Sequence, residues 1–300
     1  IPLANVESLS LLGPVQLSTQ ALHVLADRSI PVAFVSGAGR AITVLDPLDS
    51  VSAAVRKAQV LRLEDPAARI ELSCALVIAK ILNQRKLLQR NHPALPESAV
   101  AEMLRQAESA AHAKSLDALR GHEGQAAAIY FEHFGGMLKG TWGGEFQANG
   151  RQRRPPPDPV NTALSFAYTM LTHEAVTALR LASLEPSIGA LHVTRPGRPA
   201  LALDLMEPFR PLVADSAVLS LFNRGEVRDG HFLKTAAGCA FTDAGRTAFF
   251  GAYGRRMDDI VRHHVFEYRL SYRRMMVLHA RMIAAWLLGE VPTLAFLTTR

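Results

Sequence analysis

The hydrophobic pattern of this 300-residue chain changes its period once, near residues 45–50, and this change constrains the fold more than any other feature. Before it, alternating or β-branched runs predict four short strands, VESLSLL, VQLS, IPVAFVS and AITVL. SGAGR predicts a hairpin turn between the last two strands, and QALHVLADRS predicts a short helix. After it, apolar residues follow a helical period. The sequence therefore predicts an α+β fold. A small N-terminal β-rich domain spans residues 1–50, a larger all-helical C-terminal domain spans residues 51–300, and LDPLDS marks the boundary.

Helix boundaries in the second part follow from capping and turn residues. Asp65-Pro66 predicts the start of a long helix, because proline suits the first helical turn. Asp158-Pro159 predicts another helix start in the same way. Further helices are expected over about 97–119, from near Glu123, after Thr242 and over about 258–288, with one small hairpin in EVRDGHFLKT.

Composition restricts the setting of the protein. Its net charge of +6 suits an anionic partner without identifying one. Cys74 and Cys239 lie among small and apolar neighbours, which favours neither a disulfide framework nor a thiolate metal site, so a cytoplasmic location is expected. No apolar run is long enough to cross a bilayer, so no membrane association is expected. The chain starts without an initiator Met, as expected of a fragment or the downstream part of a fusion.

Two acids stand in a run that otherwise predicts core. Asp204 and Glu207 occur in ALALDLMEPFR, three positions apart, so both carboxylates point to one side of a helix. Pro208 cannot donate to the carbonyl of Asp204, so a helix begins or kinks here. Glu207 could form an ordinary surface pair with Arg210. The surrounding residues favour burial instead, and a buried carboxylate requires a compensating cation or set of hydrogen bonds.

Two other polar residues have both a structural and a functional interpretation. Glu123, in RGHEGQAAAIYF, could be a helix-entry carboxylate stabilised by the helix dipole, or a ligand to which the nearby glycines give access. His192, beside the turn TRPGRP, could be a satisfied core histidine or a metal ligand. Two carboxylates and one imidazole form a mixed oxygen and nitrogen set that suits Mg²⁺ or Mn²⁺.

Arginines form two basic clusters that predict phosphate contacts. One cluster lies in the Pro-rich segment, and the other interleaves with tyrosines near the C-terminus. A solvated helix face is the alternative, but arginine is the better bidentate phosphate ligand. The residues expected to contact DNA are Arg151, Arg153 and Arg154 in the first cluster, Arg255, Arg256 and Arg273 in the second, and Arg198, which lies outside both.

Four stretches in this order resemble the universal CRISPR adaptation integrase, a CRISPR-associated metal-dependent endonuclease that inserts new spacers. They are GHEGQAAAIYF, RRPPPDPVNTALSFAYTML, EPSIGALHVTRPGRPALALDLMEPFRPLVAD and LFNRG. The resemblance implies a metal site of Glu123, His192 and Glu207, with Asp204 as a supporting or alternate ligand. Tyr168 matches a position near the active site. Members usually have another strand before VESLSLLG, so missing upstream residues are expected.

The resemblance also implies a reaction and partners. A 3′-hydroxyl of a captured DNA fragment would attack a phosphodiester at the leader–repeat junction, with Mg²⁺ or Mn²⁺ bound. Members act as homodimers, and two dimers bracket a small ferredoxin-like CRISPR-associated partner; an exonuclease can be fused or associated. Two alternatives remain open. One is a non-catalytic DNA-binding scaffold, and the other is a general metal-dependent nuclease that acts in repair on branched DNA.

Overall fold

The N-terminal part is a small sheet with one helix. The computed structural model describes residues 3, 6, 9–28, 30–36, 41–45 and 51–299. Strand β1 pairs parallel with β2, and β2 pairs antiparallel with β3, while helix α1 connects the parallel pair. Leu25, Ile30 and Val32 form a small core of their own. The bounds are β1 Leu9–Leu12, α1 Thr19–Asp27, β2 Val32–Val35 and β3 Ala41–Leu45.

Most of the N-terminal prediction is confirmed. Three of the four predicted strands form, and the predicted helix is α1. The prediction of a strand for VQLS was wrong. Residues 15–18 are irregular, and Ser18 caps α1 by accepting a hydrogen bond from the Ala21 N–H at 3.2 Å. Residues 37–40 of the predicted turn SGAGR lie outside the described residues. So do residues 46–50 of the predicted boundary LDPLDS.

The described remainder of the chain is a helical body with two short hairpins. Its helices are α2 Ala53–Glu64, α3 Pro66–Asn91, α4 Glu97–Ala111, α5 Leu116–Phe134, α6 Trp142–Asn149, α7 Pro159–Leu181, α8 Ala200–Leu205, α9 Ser216–Asn223, α10 Asp243–Asp258 and α11 Tyr272–Leu288. The hairpins are β4 Phe232–Thr235 with β5 Gly238–Phe241, and β6 Ile260–Arg262 with β7 Arg269–Ser271. A π-helical turn, Arg210–Asp215, leads into α9.

The capping predictions hold for the two longest helices. Asp65 accepts a hydrogen bond from the Ala67 N–H at 2.9 Å, and α3 begins at Pro66. Asp158 is fully buried and accepts from the Asn161 N–H at 2.8 Å, so it caps α7. These caps fix where α3 and α7 enter the core.

Three boundaries of the helical part were predicted wrongly. The helix expected over 97–119 is two helices, because Ser115 caps a new one by accepting from the Ala118 N–H at 3.1 Å. Glu123 consequently lies inside α5 rather than at its entry. The last helix begins at Tyr272 rather than near 258, since Ser271 caps it and the preceding residues pair as a hairpin. This domain is therefore not all-helical, although the α+β class is confirmed.

The body is organised around a continuous apolar core. Trp286, Tyr130, Phe134, Phe146 and Phe209 are among its largest fully buried side chains. Among the described residues, no helix combines the length and the apolar character needed to cross a membrane. The segment between α7 and α9 crosses this core and carries most of the polar residues considered next.

Candidate active site

His192 and Asp204 are bound to each other in the segment between α7 and α9. The Asp204 carboxylate, on α8, is completely buried and accepts hydrogen bonds from three consecutive backbone N–H groups: Ala190 at 2.7 Å, Leu191 at 3.1 Å and His192 at 2.9 Å. Its Oδ1 also lies 2.6 Å from His192 Nδ1. Gly189 precedes this turn, and a Cβ there would come within 2.8 Å of Asp204 Oδ2. The acid thus shapes the turn and fixes the imidazole.

Glu207 lies just beyond α8 and faces the other side of the imidazole. Its Oε1 is 3.9 Å from His192 Nε2 and 3.2 Å from Arg210 Nη2. Burial alone would raise the pKa of Glu207, but the charges of Arg210, Lys80 and His192 outweigh that cost and lower the pKa to about 2. Glu207 is therefore a buried, ionised carboxylate at neutral pH. Its pair with Arg210 exists, but it is not the surface pair that was one interpretation of the sequence.

Lys80 on α3 links Glu207 to Glu123. Its Nζ contacts Glu123 Oε1 and lies 2.7 Å from Glu207 Oε2. Glu207 Oε2 is buried, and Lys80 compensates its charge. A carboxylate oxygen can accept two hydrogen bonds, so the contact with Lys80 leaves part of the acceptor capacity of Oε2 unused. The Glu123 side chain, on α5, is one-quarter exposed. A Cβ added at Gly124 would meet none of the described atoms within 4 Å, so the surface beside Glu123 is open.

The structure thus brings four of the predicted site residues into one cluster. Among the described residues, no three His, Cys, Asp or Glu side chains are placed closely enough to hold an ion as they stand, and the Lys80 ammonium lies between two of the acids. The donor set nevertheless fits a hard divalent cation. Asp204 occupies His192 Nδ1 and leaves Nε2 directed at Glu207, and a carboxylate that orients a histidine is the usual support of a metal-bound imidazole. The unused acceptor capacity of Glu207 Oε2 fits the same role.

Tyr168, the fifth predicted site residue, borders the cluster through Arg210. The Arg210 guanidinium lies 4.8 Å from the centre of the Tyr168 ring. The Tyr168 hydroxyl donates to Asp215 Oδ1 at 2.7 Å, and the Tyr130 hydroxyl donates to Asp215 Oδ2 at 2.7 Å. Burial raises the pKa of Asp215 to about 6, although both hydroxyls, Arg210 and Arg151 oppose that shift.

The arginines predicted to bind DNA have different surroundings. Arg153 and Arg154 are exposed, and Arg198 is half-buried. Arg151 is engaged within the protein, where it donates to Asn161 Oδ1 at 2.8 Å and lies 5.4 Å from the Tyr168 ring centre.

The second cluster has partners within the chain. Arg255 pairs with Glu226 at 2.5 Å, and Arg273 contacts Glu174. Arg256 donates to the Leu212 carbonyl at 2.7 Å. For these arginines DNA contact stays a prediction, and the structure shows that they also hold α10 and α11 in place.

Three members of the site were missed by the sequence predictions. They are Lys80, Tyr130 and Asp215. A signal for Lys80 was present, because it interrupts the apolar run ALVIAKIL just as Asp204 interrupts ALALDLM. Asp215 offers a weaker signal. It ends the stretch DLMEPFRPLVAD, and the helical period does not predict whether its charged side chain is buried or exposed.

Solved structures place the fold among CRISPR-associated and related proteins. A casposase bound to an integration product superposes with a TM-score of 0.81 and 23% identity, over 94% of this chain and 78% of that chain. A Cas1 protein from Thermotoga maritima gives 0.80 and 24%, over 96% of this chain and 88% of that chain. At these identities the likeness concerns the fold alone.

The sequence comparisons define the family. The family model of CRISPR associated protein Cas1 matches residues 1–255. A Cas4 exonuclease/Cas1 endonuclease fusion of Geobacter sulfurreducens is 41% identical over 99% of this chain and 55% of its own length. A CRISPR-associated endonuclease Cas1 of Thermus thermophilus is 36% identical over 97% of this chain and 85% of its own length. The chain therefore belongs to the Cas1 family, and it spans about half the length of the two fusion relatives it matches.

Proposed function

We propose that this chain is a metal-dependent DNA endonuclease and integrase that inserts new spacers into a CRISPR array. The observation that carries the proposal is the pair of Oε1 of the buried Glu207 and Nε2 of the partly exposed His192, 3.9 Å apart, in a member of the Cas1 family. Relatives named as endonucleases and a casposase of the same fold, bound to an integration product, support it. The cytoplasm, where a CRISPR array lies, is the proposed place of action.

Glu123, His192 and Glu207 would hold Mg²⁺ or Mn²⁺. When bound, such an ion polarises a phosphoryl oxygen and stabilises charge on the attacking or leaving oxygen. Asp204 acts through the histidine: by accepting from Nδ1 and from three backbone N–H groups, it keeps Nε2 directed at Glu207. Asp204 is therefore a positioning residue, and Glu207 is the acid of the pair with oxygens facing the site.

The proposed reaction is a strand transfer at the leader–repeat junction. The 3′-hydroxyl oxygen of a captured DNA fragment forms a bond to phosphorus, and the bond from phosphorus to the 3′-oxygen of the array strand breaks. The proton of the attacking hydroxyl leaves to solvent, and the departing oxygen takes one up. Arg210, 3.2 Å from Glu207, places a fixed positive charge beside the centre, where it offsets negative charge on the phosphate.

The proposed partners are DNA and other proteins of CRISPR adaptation. We propose that the chain acts as a homodimer and that a small ferredoxin-like CRISPR-associated partner bridges two dimers. A Cas6-RT-Cas1–Cas2 complex of the same fold, with a TM-score of 0.80 and 21% identity over 98% of this chain and 32% of that chain, supports an assembly of this kind. The fusion of relatives to a Cas4 exonuclease supports a fused or associated exonuclease.

The decisive test combines a strand-transfer assay with a DNA-binding assay on His192→Ala. We expect loss of strand transfer in Mg²⁺ or Mn²⁺ with nearly unchanged DNA affinity, because the imidazole belongs to the chemistry rather than to the phosphate-binding surface. His112→Ala, an exposed histidine outside the cluster, is the matched control. Unchanged integration by His192→Ala would overturn the proposal.

Two further measurements separate the alternatives. A calorimetric titration that detects no Mn²⁺ binding to the wild-type chain would favour a non-catalytic DNA-binding scaffold. Comparing branched, linear and array-containing substrates distinguishes an integrase from a general repair nuclease. An integrase should prefer the array, whereas equal cleavage of all branched DNA would favour the repair function.

A further inference from the structure

Lys80 is a buried ammonium in an apolar helix. It is 3% exposed and lies in the middle of α3, within the run ALVIAKIL. Removing an ammonium from water costs several kcal/mol unless an anion compensates. Its compensating partners are Glu123, which it contacts, and Glu207, 2.7 Å from Nζ. Lys80 therefore joins α3, α5 and the turn after α8 by ion pairing and hydrogen bonding.

The same two carboxylates belong to the proposed metal site. The cluster holds three carboxylates, Asp204, Glu123 and Glu207, against two cations, Lys80 and Arg210. Asp204 is saturated by four hydrogen bonds, whereas Glu207 Oε2 is buried with unused acceptor capacity. The acid oxygens nearest to Lys80 are thus those best suited to bind a second cation.

We propose that Lys80 is the counter-cation of the acid cluster in the metal-free protein and that it competes with the divalent ion for Glu123 and Glu207. This inference rests on the proposed function. An ammonium has no fixed coordination geometry, so Lys80 can hold the carboxylates of Glu123 and Glu207 near each other before a divalent ion binds. When the ion binds, the ammonium gives up its contact with Glu123. Lys80 therefore stabilises the empty site and weakens the affinity of that site for metal.

The test is Mn²⁺ binding and thermal unfolding of Lys80→Met, which keeps an unbranched side chain of nearly the same length and removes its charge. Removing a unit charge a few ångströms from the ion should tighten Mn²⁺ binding about tenfold or more by calorimetry. In EDTA the Tm should fall by about 10 °C, since two carboxylates lose their buried partner. Mn²⁺ should raise the Tm of Lys80→Met by more than it raises that of the wild type. Lys86→Met, on the same helix and outside the cluster, should change neither quantity.

The outcomes distinguish this inference from the proposed function. Mn²⁺ binding by the wild type, with equal or weaker binding by Lys80→Met, would overturn the competition and leave the metal-dependent function standing. Failure of both proteins to bind Mn²⁺ would overturn both proposals.

Should Lys80→Met not fold in EDTA, the double variant Lys80→Met/Glu207→Gln gives an independent answer. If the two residues form a charge pair, the added Glu207→Gln change should restore a cooperative unfolding transition in EDTA, because it removes the buried charge that Lys80→Met leaves unpaired. A double variant that also fails to fold, while Glu207→Gln alone folds, would overturn the assignment of Lys80 as counter-cation.

Discussion

Asn83 donates a hydrogen bond to the carbonyl of Pro208, the residue that follows Glu207, at 3.1 Å. The same amide donates to the Leu297 carbonyl at 2.9 Å, and its oxygen accepts from the Thr299 N–H at 3.0 Å. Asn83 is buried and lies one helical turn after Lys80 on α3. The Asn83 side chain therefore connects α3 with the turn that carries Glu207 and with residues 297–299. Through Asn83, these residues help to hold the Glu207 turn in place.

Replacing Asn83 by Ala should lower both stability and metal affinity. The change leaves two carbonyls and one N–H without their buried partner, which should reduce the free energy of unfolding by about 2–4 kcal/mol in urea titrations. Mn²⁺ binding should weaken because the Glu207 turn is no longer held. Asn91→Ala is the control: Asn91 is exposed on the same helix and bonds only within it, to the Leu87 carbonyl at 2.8 Å. Equal effects of the two variants would contradict the bracing role.

Asp204→Asn should disable the site while leaving the acid beside it in place. The amide nitrogen cannot accept the backbone N–H groups that the carboxylate accepts, and the anchor of His192 Nδ1 is weakened. We expect unfolding to be easier by about 2–4 kcal/mol and strand transfer to be lost. Asp117→Asn, an exposed acid paired with Arg120, provides the control. A fully active Asp204→Asn protein would show that the carboxylate does not position the imidazole.

Asp215 should give the protein a pH-dependent stability between about pH 4 and pH 6. Its pKa is raised from 3.8 to about 6 in the folded state, so the folded chain holds a proton that the unfolded chain releases. Stability therefore falls as the pH rises through this window, by on the order of 3 kcal/mol, and stays reduced at higher pH. Asp215→Asn has no such proton, so this part of the slope in urea unfolding should disappear. An identical slope in both proteins would refute the assignment.

The two arginine clusters should separate DNA affinity from stability. Arg153 and Arg154 are exposed, so replacing both by Ala should reduce the salt dependence of DNA binding by a slope of about 2 and change stability by less than about 0.5 kcal/mol. Arg273→Ala should instead reduce the free energy of unfolding by about 1–2 kcal/mol, because its contact with Glu174 is partly buried. The pattern is checked by salt titration and urea unfolding of the same samples. A reversed pattern would contradict the placement of these residues.

The sequence predicted the fold class because the change in hydrophobic period is local and strong. The prediction of helix boundaries failed where glycines inside a helix resemble helix breakers. Gly121 and Gly124 suggested a boundary, yet α5 runs through both, since its start is fixed by Ser115 and its packing by Leu119 and Tyr130. The hairpin β6–β7 was included in the helix predicted over about 258–288, because its strands have only three residues each, too few to show an alternating pattern.

The candidate site was predictable where charge conflicts with burial. Asp204 and Glu207 stood out in an apolar run, and the structure places both in the core. What the sequence could not provide was the partner of each acid, because pairing depends on contacts between distant segments. Lys80 and Glu207 belong to such segments, and nothing in the spacing of either residue indicates the other. The same holds for Asp215, whose two tyrosine partners lie on α5 and α7.

The acid cluster draws its members from α3, α5, the turn after α7, α8 and the residues following α8. The hydrogen bonds that brace it come in part from residues 297–299. No single helix or turn supplies all the side chains of this cluster, which come from positions 80 to 210. A polypeptide emerging from the ribosome therefore contains Glu123, His192, Asp204 and Glu207 before residues 297–299, whose backbone binds Asn83, have been made. For a protein proposed to break and join DNA strands, the centre would be without this brace until residues 297–299 have joined the fold.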